Sequence, residues 1–351
     1  MQKRNVLVLV PLEETDMKSI ASVDSSIEAI YGMEEIRAEQ EIDPILPPPL
    51  ENPIRKQRLT RDQGTIAFDR LLETAEIIFC WRLPSDLLAR APRLKWIQAS
   101  GAGFDILDKV AGLRESNIML TSASGNFRAV PVAEYALCVM LMLSKKAMRF
   151  MDNKKAHHWE PFVKCQLEGK VLGIVGLGRI GKEIAKRAKS FDMKVLATKG
   201  SAQYRLKDVE GVDDLLPANE LHQMLAESDY VVLTLPLTDR NRGLIGEKEL
   251  RLMKSTSYLI NVARGPIVQQ NVLTTALKEG WIAGAALDVF ETEPLPSESE
   301  LWDLPNVILT PHTAGHSENH STFLTEFFCE NLRRYITGNQ MMGVVDKIKG
   351  Y

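Results

Sequence analysis

The sequence is poor in cysteine: its 351 residues include four, and no two of them form a CxxC pair. The length suggests two domains of ~150 residues, each large enough to bury a core without disulfides. We therefore expect four free thiols, mostly buried, in a reducing compartment such as the cytoplasm. They are Cys80, Cys138, Cys165 and Cys329.

The chain also has no excess of one charge and no long hydrophobic run. Its 43 Lys and Arg residues nearly balance 46 Asp and Glu residues, and like charges do not cluster, so we expect no nucleic-acid partner. The apolar run Val6–Val10 ends at Pro11 and is too short for a signal peptide or a membrane span. The stretch Ala129–Leu143 contains Glu134, which is typical of a buried helix. We expect no export signal and no membrane partner.

Up to about residue 122, short β-type runs alternate with helix-like segments, and this alternation predicts a small α/β domain. The predicted strands are Val6–Val10, Ile77–Cys80, Trp96–Ala99 and Ile118–Leu120, and the predicted helices are Thr15–Ile30 and Ser85–Arg90. The proline-rich segment Asp43–Pro53 can be neither a central strand nor a helix, because proline removes backbone donors. We interpret it as a surface loop, with an interdomain linker as the alternative.

From residue 126 onward, a long predicted helix, Pro131–Asp152, leads into a regular series of strands and helices. Near-continuous apolar strands separated by helices are typical of a parallel sheet that is covered on both faces. The predicted strands are Val171–Val175, Lys194–Thr198, Tyr230–Leu235, Tyr258–Val262, Ile282–Leu287 and Val307–Leu309. A final helix, Ser317–Thr337, has no strand partner left in this series, so we expect it to return to the first domain.

A glycine-rich loop lies between the first strand of this series and the next helix. It has the GxGxxG spacing, with glycines at 176, 178 and 181. After a strand, Gly176 permits a tight turn, Gly178 lets the backbone approach a pyrophosphate, and Gly181 lets helix and strand pack closely. The helix N-terminus, with Arg179 and Ile180, would face the anion. The loop predicts dinucleotide binding, and the alternative is a purely structural turn.

The end of the following strand bears on the choice of cofactor. NAD-binding units usually carry Asp or Glu ~20 residues after the loop, where it binds the ribose 2′-hydroxyl. Here Lys199 stands 18 residues beyond Gly181, and Ser201 follows it. A cation and a hydroxyl suit a 2′-phosphate, so we predict a preference for NADP(H), with NAD(H) possible. The alternative is an exposed lysine in a turn.

Three later segments place ionisable residues beyond predicted strands, where open α/β sheets bind ligands. They are Asn261–Pro266, Leu287–Pro294 and Thr310–Gly315. With the glycine-rich loop they resemble the D-2-hydroxyacid dehydrogenase family, which includes glyoxylate/hydroxypyruvate reductases, D-lactate dehydrogenases and phosphoglycerate dehydrogenases. The resemblance runs from about Leu94 to the C-terminal segment and includes Gly101–Asp105, Val132–Glu134 and Leu235–Thr238.

The resemblance implies an α/β fold of two Rossmann-like domains with parallel sheets, in which a cofactor domain is inserted in a discontinuous substrate domain. The substrate domain would comprise residues 1–122 and 317–351, and the dinucleotide-binding domain residues 123–316. Dimers formed through cofactor domains are common in the family, so we expect a homodimer. The long helix would supply the interface through its apolar residues Val132, Leu137, Met140, Leu141 and Met148.

The resemblance also implies a catalytic set. Arg264 would bind the substrate carboxylate and 2-oxo oxygen, His312 would be the acid/base, and Glu293 would hold the histidine and favour its charged form. Reduction at C2 needs a proton donor near neutral pH, which is the range of histidine. Asp288 would fix the nicotinamide carboxamide. Further cofactor contacts are implied for Thr198, Leu235, Pro236, Val262, Ala263, Arg264, His312 and Gly315.

In the first domain, Ala102 and Gly103 match the loop whose backbone amides face the substrate carboxylate in this family. Arg82 matches an arginine that can meet a distal substrate group, but Leu83 and Pro84 replace the common polar residues. This loss of polarity predicts a small substrate without a phosphate. The resemblance thus favours an NADP(H)-preferring reductase of small 2-oxo acids such as glyoxylate or hydroxypyruvate, giving D-2-hydroxy acids where C2 becomes chiral.

Two other functions stay open at this point. One is an NAD-dependent dehydrogenase of another D-2-hydroxy acid, and the other is a nucleotide-sensing interaction protein like the corepressors of the same family. His312, His316 and His320 also form an HxxxHxxxH series, which on one continuous helix could bind zinc. Because Pro311 and Gly315 argue against such a helix, we predict no metal site.

Overall fold

The computed structural model of the protein describes residues 3–40, 60–101, 109–123, 128–209 and 211–348. The chain forms two compact units, one made of Met1–Ser124 and Glu318–Tyr351 and the other of Gly125–Ser317. We refer to them as the split unit and the inserted unit. No helix within the described ranges is long and apolar enough to cross a membrane.

The split unit is built on a parallel sheet of five strands. They are β1 (Arg4–Leu9), β2 (Ile27–Tyr31), β3 (Ile77–Cys80), β4 (Trp96–Ala99) and β5 (Met119–Ser122), in the order β2-β1-β3-β4-β5. Its first four described helices are α1 (Glu14–Ala21), α2 (Met33–Gln40), α3 (Arg61–Thr74) and α4 (Leu87–Arg90). β3 and β4 are buried along their whole length, as central strands of a parallel sheet are.

The predicted helix Thr15–Ile30 is wrong in its second half, because the helix ends at Ala21 and the chain continues into β2. The Asp24 carboxylate accepts hydrogen bonds from the backbone N–H and the hydroxyl of Ser26, at 2.8 and 2.6 Å. Local side-chain bonds of this kind compete with the helical pattern and form a turn instead. The sequence patterns also failed to indicate α2 and α3.

The inserted unit is built on a sheet of eight strands with helices around it. The strands are β6 (Val171–Val175), β7 (Lys194–Lys199), β8 (Leu206–Val209), β9 (Val212–Pro217), β10 (Tyr230–Leu233), β11 (Tyr258–Asn261), β12 (Gly284–Leu287) and β13 (Val307–Leu309). The helices are α5 (Ala129–Ser144), α6 (Ala147–Lys155), α7 (Arg179–Lys189), α8 (Leu221–Glu227), α9 (Glu247–Leu252) and α10 (Gln270–Glu279). The strand order is β13-β12-β11-β10-β6-β7-β9-β8, and every pair is parallel except β8 with β9.

Side chains of β6 alternate between two apolar cores. Leu172 and Ile174 join a core that includes residues of α5 and α7, whereas Val175 joins a core that includes residues of α8 and α10. The predicted parallel sheet with both faces covered, and the α/β fold class, are therefore confirmed. β8 and β9 were missed, because Lys207 and Asp214 interrupt the apolar pattern on which strand prediction depends.

The predicted long helix Pro131–Asp152 is two helices, α5 and α6. They are separated at Lys145 and Lys146, and Lys146 has a left-handed backbone with φ of +55°. The ammonium group of Lys145 donates to the carbonyl oxygen of Cys165 at 2.7 Å, and the Ser144 hydroxyl donates to the Leu141 carbonyl at 3.0 Å. These contacts fix the break, which the apolar periodicity of the segment does not reveal.

The last helix, α11 (His320–Thr337), belongs to the split unit. The ring of Phe328 stacks on that of Phe79 in β3, with centroids 4.4 Å apart. Asn331, fully buried, donates from Nδ2 to Gln98 Oε1 in β4 at 3.0 Å. The helix is thus fastened to the sheet of the split unit by both an aromatic contact and a buried hydrogen bond.

All four cysteines are free thiols. Cys80 and Cys329 are buried, whereas Cys138 and Cys165 are exposed, so the expectation of mostly buried thiols is wrong for two of them. Cys138 lies on α5 at a position that turns away from the apolar core of the inserted unit.

Candidate active site

The glycine-rich loop joins β6 to α7 in the inserted unit. Gly176 has φ of +100°, a conformation that favours glycine, and a Cβ there would lie 2.9 Å from Leu235 Cβ. A Cβ on Gly181 would lie 2.8 Å from the Gly176 carbonyl oxygen, so helix and loop pack too closely for a side chain. A Cβ on Gly178 would meet no atom within 4 Å, which leaves room above the loop for a bound group.

Neighbouring strands hold this loop in place. The backbone N–H groups of Gly176 and Leu177 donate to the Thr198 carbonyl of β7, at 3.1 and 2.9 Å. The Thr234 hydroxyl, after β10, donates to the Gly176 carbonyl at 2.6 Å. The loop therefore lies at the carboxyl ends of β6, β7 and β10, where the strand order reverses and where such sheets bind ligands. Its geometry fits a dinucleotide pyrophosphate at the start of α7.

The end of β7 carries a cation instead of a carboxylate. Lys199 is half-buried and begins a turn closed by the Ala202 N–H, which donates to the Lys199 carbonyl at 3.0 Å. Ser201 lies within this turn and is exposed. No Asp or Glu occurs between β7 and β8. The structure thus places the lysine and the hydroxyl beside the strand end to which the glycine-rich loop is bonded.

The loop that carries Arg264 follows β11, and its shape depends on the Asn261 side chain and on the close approach of Gly265 to Phe290. The Asn261 side chain accepts from the Ala263 N–H at 3.1 Å and donates to the Arg264 carbonyl at 3.0 Å. A Cβ on Gly265 would lie only 1.9 Å from the backbone of Phe290, so glycine is required for the two backbones to approach. This close contact brings the Arg264 loop against the segment that leads to Glu293.

Glu293 and His312 form a hydrogen-bonded pair. Nδ1 of His312 lies 2.8 Å from Oε2 of Glu293, and Oε1 of Glu293 accepts from the Phe290 N–H at 3.0 Å. Burial acts to raise the pKa of Glu293, but the hydrogen bond from His312 and the charges of His312 and Arg264 outweigh it, so the pKa lies below its ordinary value. The carboxylate therefore stays ionised at neutral pH and fixes the orientation of the imidazole.

Asp288 organises the segment Thr310–Gly315, which carries His312 and which we call the His312 loop. Its carboxylate, 2% exposed, accepts from the Thr310 hydroxyl at 2.6 Å, the Thr313 N–H at 2.9 Å and the Ala314 N–H at 3.0 Å. Its carbonyl accepts from the His312 N–H at 2.8 Å. Burial raises the pKa of Asp288, and these hydrogen bonds and the charge of His312 oppose the rise. The assignment of Asp288 to the nicotinamide carboxamide stays a prediction, and holding this loop is a second role that the sequence did not indicate.

The structure brings together most residues of the candidate set that lie in the inserted unit. Arg264, Glu293, His312 and Asp288 form one group, because the charges of His312 and Arg264 both act on Glu293. Among the predicted cofactor contacts, Val262 and Ala263 are buried and directly precede Arg264. Leu235 packs against Gly176 and is followed by Pro236, and Gly315 lies at the end of the His312 loop. Arg179 and Ile180 open α7, and Thr198 is buried at the end of β7.

The structure describes only one of the three substrate contacts predicted in the first domain. Arg82 follows β3 in the split unit and is exposed, whereas Leu83 and Pro84 are buried. Ala102 and Gly103 lie outside the described residues. The roles of all three predicted contacts stay predictions.

The histidine series does not occupy one helix, because α11 begins at His320 while His312 and His316 precede it. Within the described ranges, no group of three His, Cys, Asp or Glu side chains could hold a metal ion.

Sequence reasoning missed one charged residue of this group. Arg128, at the N-terminus of α5, is 9% exposed, and burial together with the charge of Arg264 lowers its pKa to about 10. A Cβ on Gly315 would lie 3.8 Å from Arg128 Cδ, so the arginine packs beside the His312 loop. An arginine before an apolar helix has no sequence signal of its own.

The comparisons with known proteins agree with this architecture. Residues 137–314 match the model of the D-isomer specific 2-hydroxyacid dehydrogenase family, NAD binding domain. The chain belongs to the D-isomer specific 2-hydroxyacid dehydrogenases. It is therefore an oxidoreductase with a nicotinamide cofactor.

Individual relatives support the same assignment. The chain is 37% identical over 272 residues to a glyoxylate reductase from Thermofilum pendens, covering 76% of this chain and 79% of the relative. It resembles the structure of a D-isomer specific 2-hydroxyacid dehydrogenase from Xanthobacter autotrophicus in complex with NADPH and MES, with 26% identity, TM-score 0.76 and full coverage of both chains. It shares the fold of an NADPH-dependent glyoxylate/hydroxypyruvate reductase from Sinorhizobium meliloti, with 24% identity, TM-score 0.78, and coverage of 99% and 100%.

Proposed function

We propose that the protein is an NADP(H)-preferring reductase of small 2-oxo acids such as glyoxylate or hydroxypyruvate. The observation that carries this proposal is the grouping of Arg264, Glu293 and His312 at the carboxyl edge of a sheet with a dinucleotide loop. The relatives named glyoxylate reductase support the substrate class. A similar structure that contains NADPH supports the cofactor.

The reaction needs a fixed anion site and a proton donor beside the 2-oxo carbon. The bound nicotinamide supplies the hydride when the enzyme reduces its substrate. Arg264 binds the substrate carboxylate, because the guanidinium keeps its charge and can make two parallel hydrogen bonds. Nδ1 of His312 bonds to Glu293, so Nε2 is the nitrogen that delivers a proton to the developing alkoxide. Glu293 keeps the imidazole in this orientation through the hydrogen bond to Nδ1.

Lys199 and Ser201 would distinguish NADP(H) from NAD(H). They stand in the turn after β7, where an acidic residue would otherwise bind the ribose 2′-hydroxyl. A 2′-phosphate in this place gains a charge-assisted contact with Lys199 and a hydrogen bond from Ser201. An unmodified 2′-hydroxyl gains neither charge contact nor a carboxylate acceptor, so NAD(H) should bind more weakly.

The test is to follow oxidation of NADPH and of NADH with a panel of 2-oxo acids, for the wild type and for Lys199→Asp. We expect turnover of small 2-oxo acids, with a larger kcat/KM for NADPH than for NADH. Lys199→Asp should narrow or reverse the ratio of these two kcat/KM values, because a carboxylate repels the 2′-phosphate and accepts from a 2′-hydroxyl. Lys194→Asp is the matched control: Lys194 begins the same strand, opposite Val171 at the other end of the β6–β7 pairing, and should leave the ratio unchanged.

Equal use of both cofactors by the wild type contradicts the NADP(H) preference. Failure to turn over any 2-oxo acid contradicts the reductase assignment. Nucleotide binding in the absence of turnover would instead favour an interaction protein of the corepressor kind.

A further inference from the structure

Tyr135 and Thr310 form a chain of hydrogen bonds that ends on Asp288. Oη of Tyr135 lies 2.7 Å from Oγ1 of Thr310, and Oγ1 of Thr310 lies 2.6 Å from Oδ1 of Asp288. Tyr135 belongs to α5, whereas Thr310 directly follows β13, so the chain joins two elements 175 residues apart in sequence. It ends on the carboxylate that organises the His312 loop.

The chemistry of the three groups fixes the direction of these bonds. Both carboxylate oxygens of Asp288 accept backbone hydrogen bonds, and Oδ1 also accepts from the Thr310 hydroxyl. Thr310 therefore donates its single hydroxyl hydrogen to Asp288, and Tyr135 must be the donor to Thr310. Burial raises the pKa of Tyr135 to about 12, so the phenol keeps this proton at neutral pH.

The backbone at His312 needs such support. It has φ of +56°, in the left-handed region that costs energy for a residue with a Cβ. Strained conformations persist only where the surrounding contacts determine them. Here the contacts come from Asp288: its backbone carbonyl accepts from the His312 N–H, and its carboxylate accepts from the N–H groups of Thr313 and Ala314. The Thr310 hydroxyl and the Thr313 N–H share the same carboxylate oxygen, so the hydroxyl helps to hold that oxygen in place.

We propose that Tyr135 is a positioning residue for His312, acting through Thr310 and Asp288. The consequence for turnover rests on the proposed role of His312 as acid/base. Removal of the phenol hydroxyl leaves the Thr310 oxygen without its donor and frees its rotation. Asp288 is then held less firmly, and the His312 loop departs more often from the geometry that proton transfer needs.

The kinetic test compares Tyr135→Phe, Thr310→Val and the double variant. Loss of one hydrogen bond corresponds to roughly a 3- to 10-fold effect, so each single variant should lower kcat by about this factor. Because both act through one chain, the double variant should be no slower than Thr310→Val alone. Thr310→Ser keeps the hydroxyl and should restore most of the rate. Fully multiplicative effects, or an unchanged kcat in Tyr135→Phe, would overturn the proposal.

A second measurement is independent of turnover. Hydrogen–deuterium exchange of the peptide spanning residues 307–315 should quicken in Tyr135→Phe, because it contains the Thr313 and Ala314 amides held by the Asp288 carboxylate. Tyr258→Phe is the matched control: Tyr258 is a half-buried tyrosine of the same unit that stacks on Tyr230, and it should change neither exchange nor kcat. Unchanged exchange in Tyr135→Phe refutes the positioning role. Faster exchange in a protein that turns over no 2-oxo acid upholds the hydrogen-bond chain and refutes the proposed function.

Discussion

His312 combines a strained backbone with an ionised partner, and the two features have different purposes. The φ of +56° directs the side chain, and the bond of 2.8 Å from Nδ1 to Glu293 fixes the rotation of the ring. Together they leave Nε2 as the nitrogen for proton exchange. A structural histidine at the surface would need neither feature, so both support the assignment of His312 as acid/base.

Replacement of this histidine tests the assignment directly. His312→Ala should lower kcat by roughly 10²–10⁴-fold, the range for lost general acid–base catalysis, while the affinity for NADPH stays close to that of the wild type. Steady-state kinetics and fluorescence titration of the cofactor measure the two quantities. His222→Ala is a suitable control, because His222 also bonds a carboxylate, Glu249 at 2.9 Å, but lies on α8 away from the candidate group. A wild-type rate in His312→Ala would remove this residue from the mechanism.

At the scale of elements, the β8–β9 hairpin supports the edge of the sheet beyond β7. β9 pairs with β7 as far as Lys199, which faces Pro217. Within the hairpin, Arg205 makes two hydrogen bonds to the carboxylate of Asp214, at 3.1 and 3.0 Å. Asp214 is 6% exposed, so the pair is largely removed from solvent on the carboxylate side. The hairpin thus stabilises the strand end that carries the proposed 2′-phosphate contacts.

The contribution of this pair should depend on pH in a defined direction. The hydrogen bond from Arg205 holds the pKa of Asp214 below its ordinary value of 3.8. The ion pair therefore stabilises the folded protein at pH values above 3.8, and this stabilisation is lost as the pH falls below 3.8. Asp214→Asn should therefore lower the free energy of unfolding by ~1 kcal/mol, equally at pH 7 and pH 5, and by less at pH 3.5. Urea unfolding at the three pH values measures this.

Asp208→Asn serves as the control for the hairpin. Asp208 is exposed on β8 and has a φ of +51°, which asparagine tolerates, so the same chemical change should leave the unfolding midpoint unaffected. If the difference in free energy of unfolding between the wild type and Asp214→Asn is as large at pH 3.5 as at pH 7, packing rather than charge explains the lost stability.

At the scale of the whole molecule, the expected dimer surface needs correction. Val132, Leu137 and Met140 are buried in the core of the inserted unit, so these three residues cannot form an interface, whereas Leu141 is half-buried and packs against this core. Met148 is 37% exposed and lies on α6. Other exposed apolar residues occur on α6 and in the segment that follows it: Phe150, Met151, Trp159 and Val163.

We predict that a second copy of the chain covers these exposed apolar residues. Trp159 is 95% and Val163 86% exposed, an arrangement that is unfavourable in water and that a two-fold interface would relieve. We expect a homodimer, with a mass by light scattering of twice 39.3 kDa. Trp159→Ala should shift the equilibrium towards the monomer, because large aromatic side chains contribute most to such interfaces.

Trp302→Ala is the control for the dimer. Trp302 is another exposed tryptophan of the inserted unit, 54% exposed, and lies far along the chain from α6. It should leave the mass unchanged. A wild-type mass near 39 kDa at micromolar concentration would mean that no second copy covers this surface.

The sequence predicted well those features that depend on neighbouring residues. Strands β3, β4, β6 and β13 have the predicted bounds, because a short run of apolar residues between turns is sufficient to indicate a buried strand. The glycine-rich loop is also local, since its glycine spacing and the positive φ at Gly176 fall within six residues. The predictions failed where side chains decide the backbone, as at Asp24 after α1 and Lys145 before α6.

By itself, the sequence determined the class of fold and the dinucleotide loop, because these depend on periodicity and on short spacings along the chain, whereas the residues of the candidate site were implied by the family resemblance of its motifs. Only the tertiary structure decided which groups meet. The approach of Gly265 to Phe290, the bonds from Thr313 and Ala314 to the Asp288 carboxylate, and the reach of Tyr135 to Thr310 each join segments that are far apart in sequence. Such contacts depend on how strands and helices pack, and packing is a property of the whole fold that no local pattern contains.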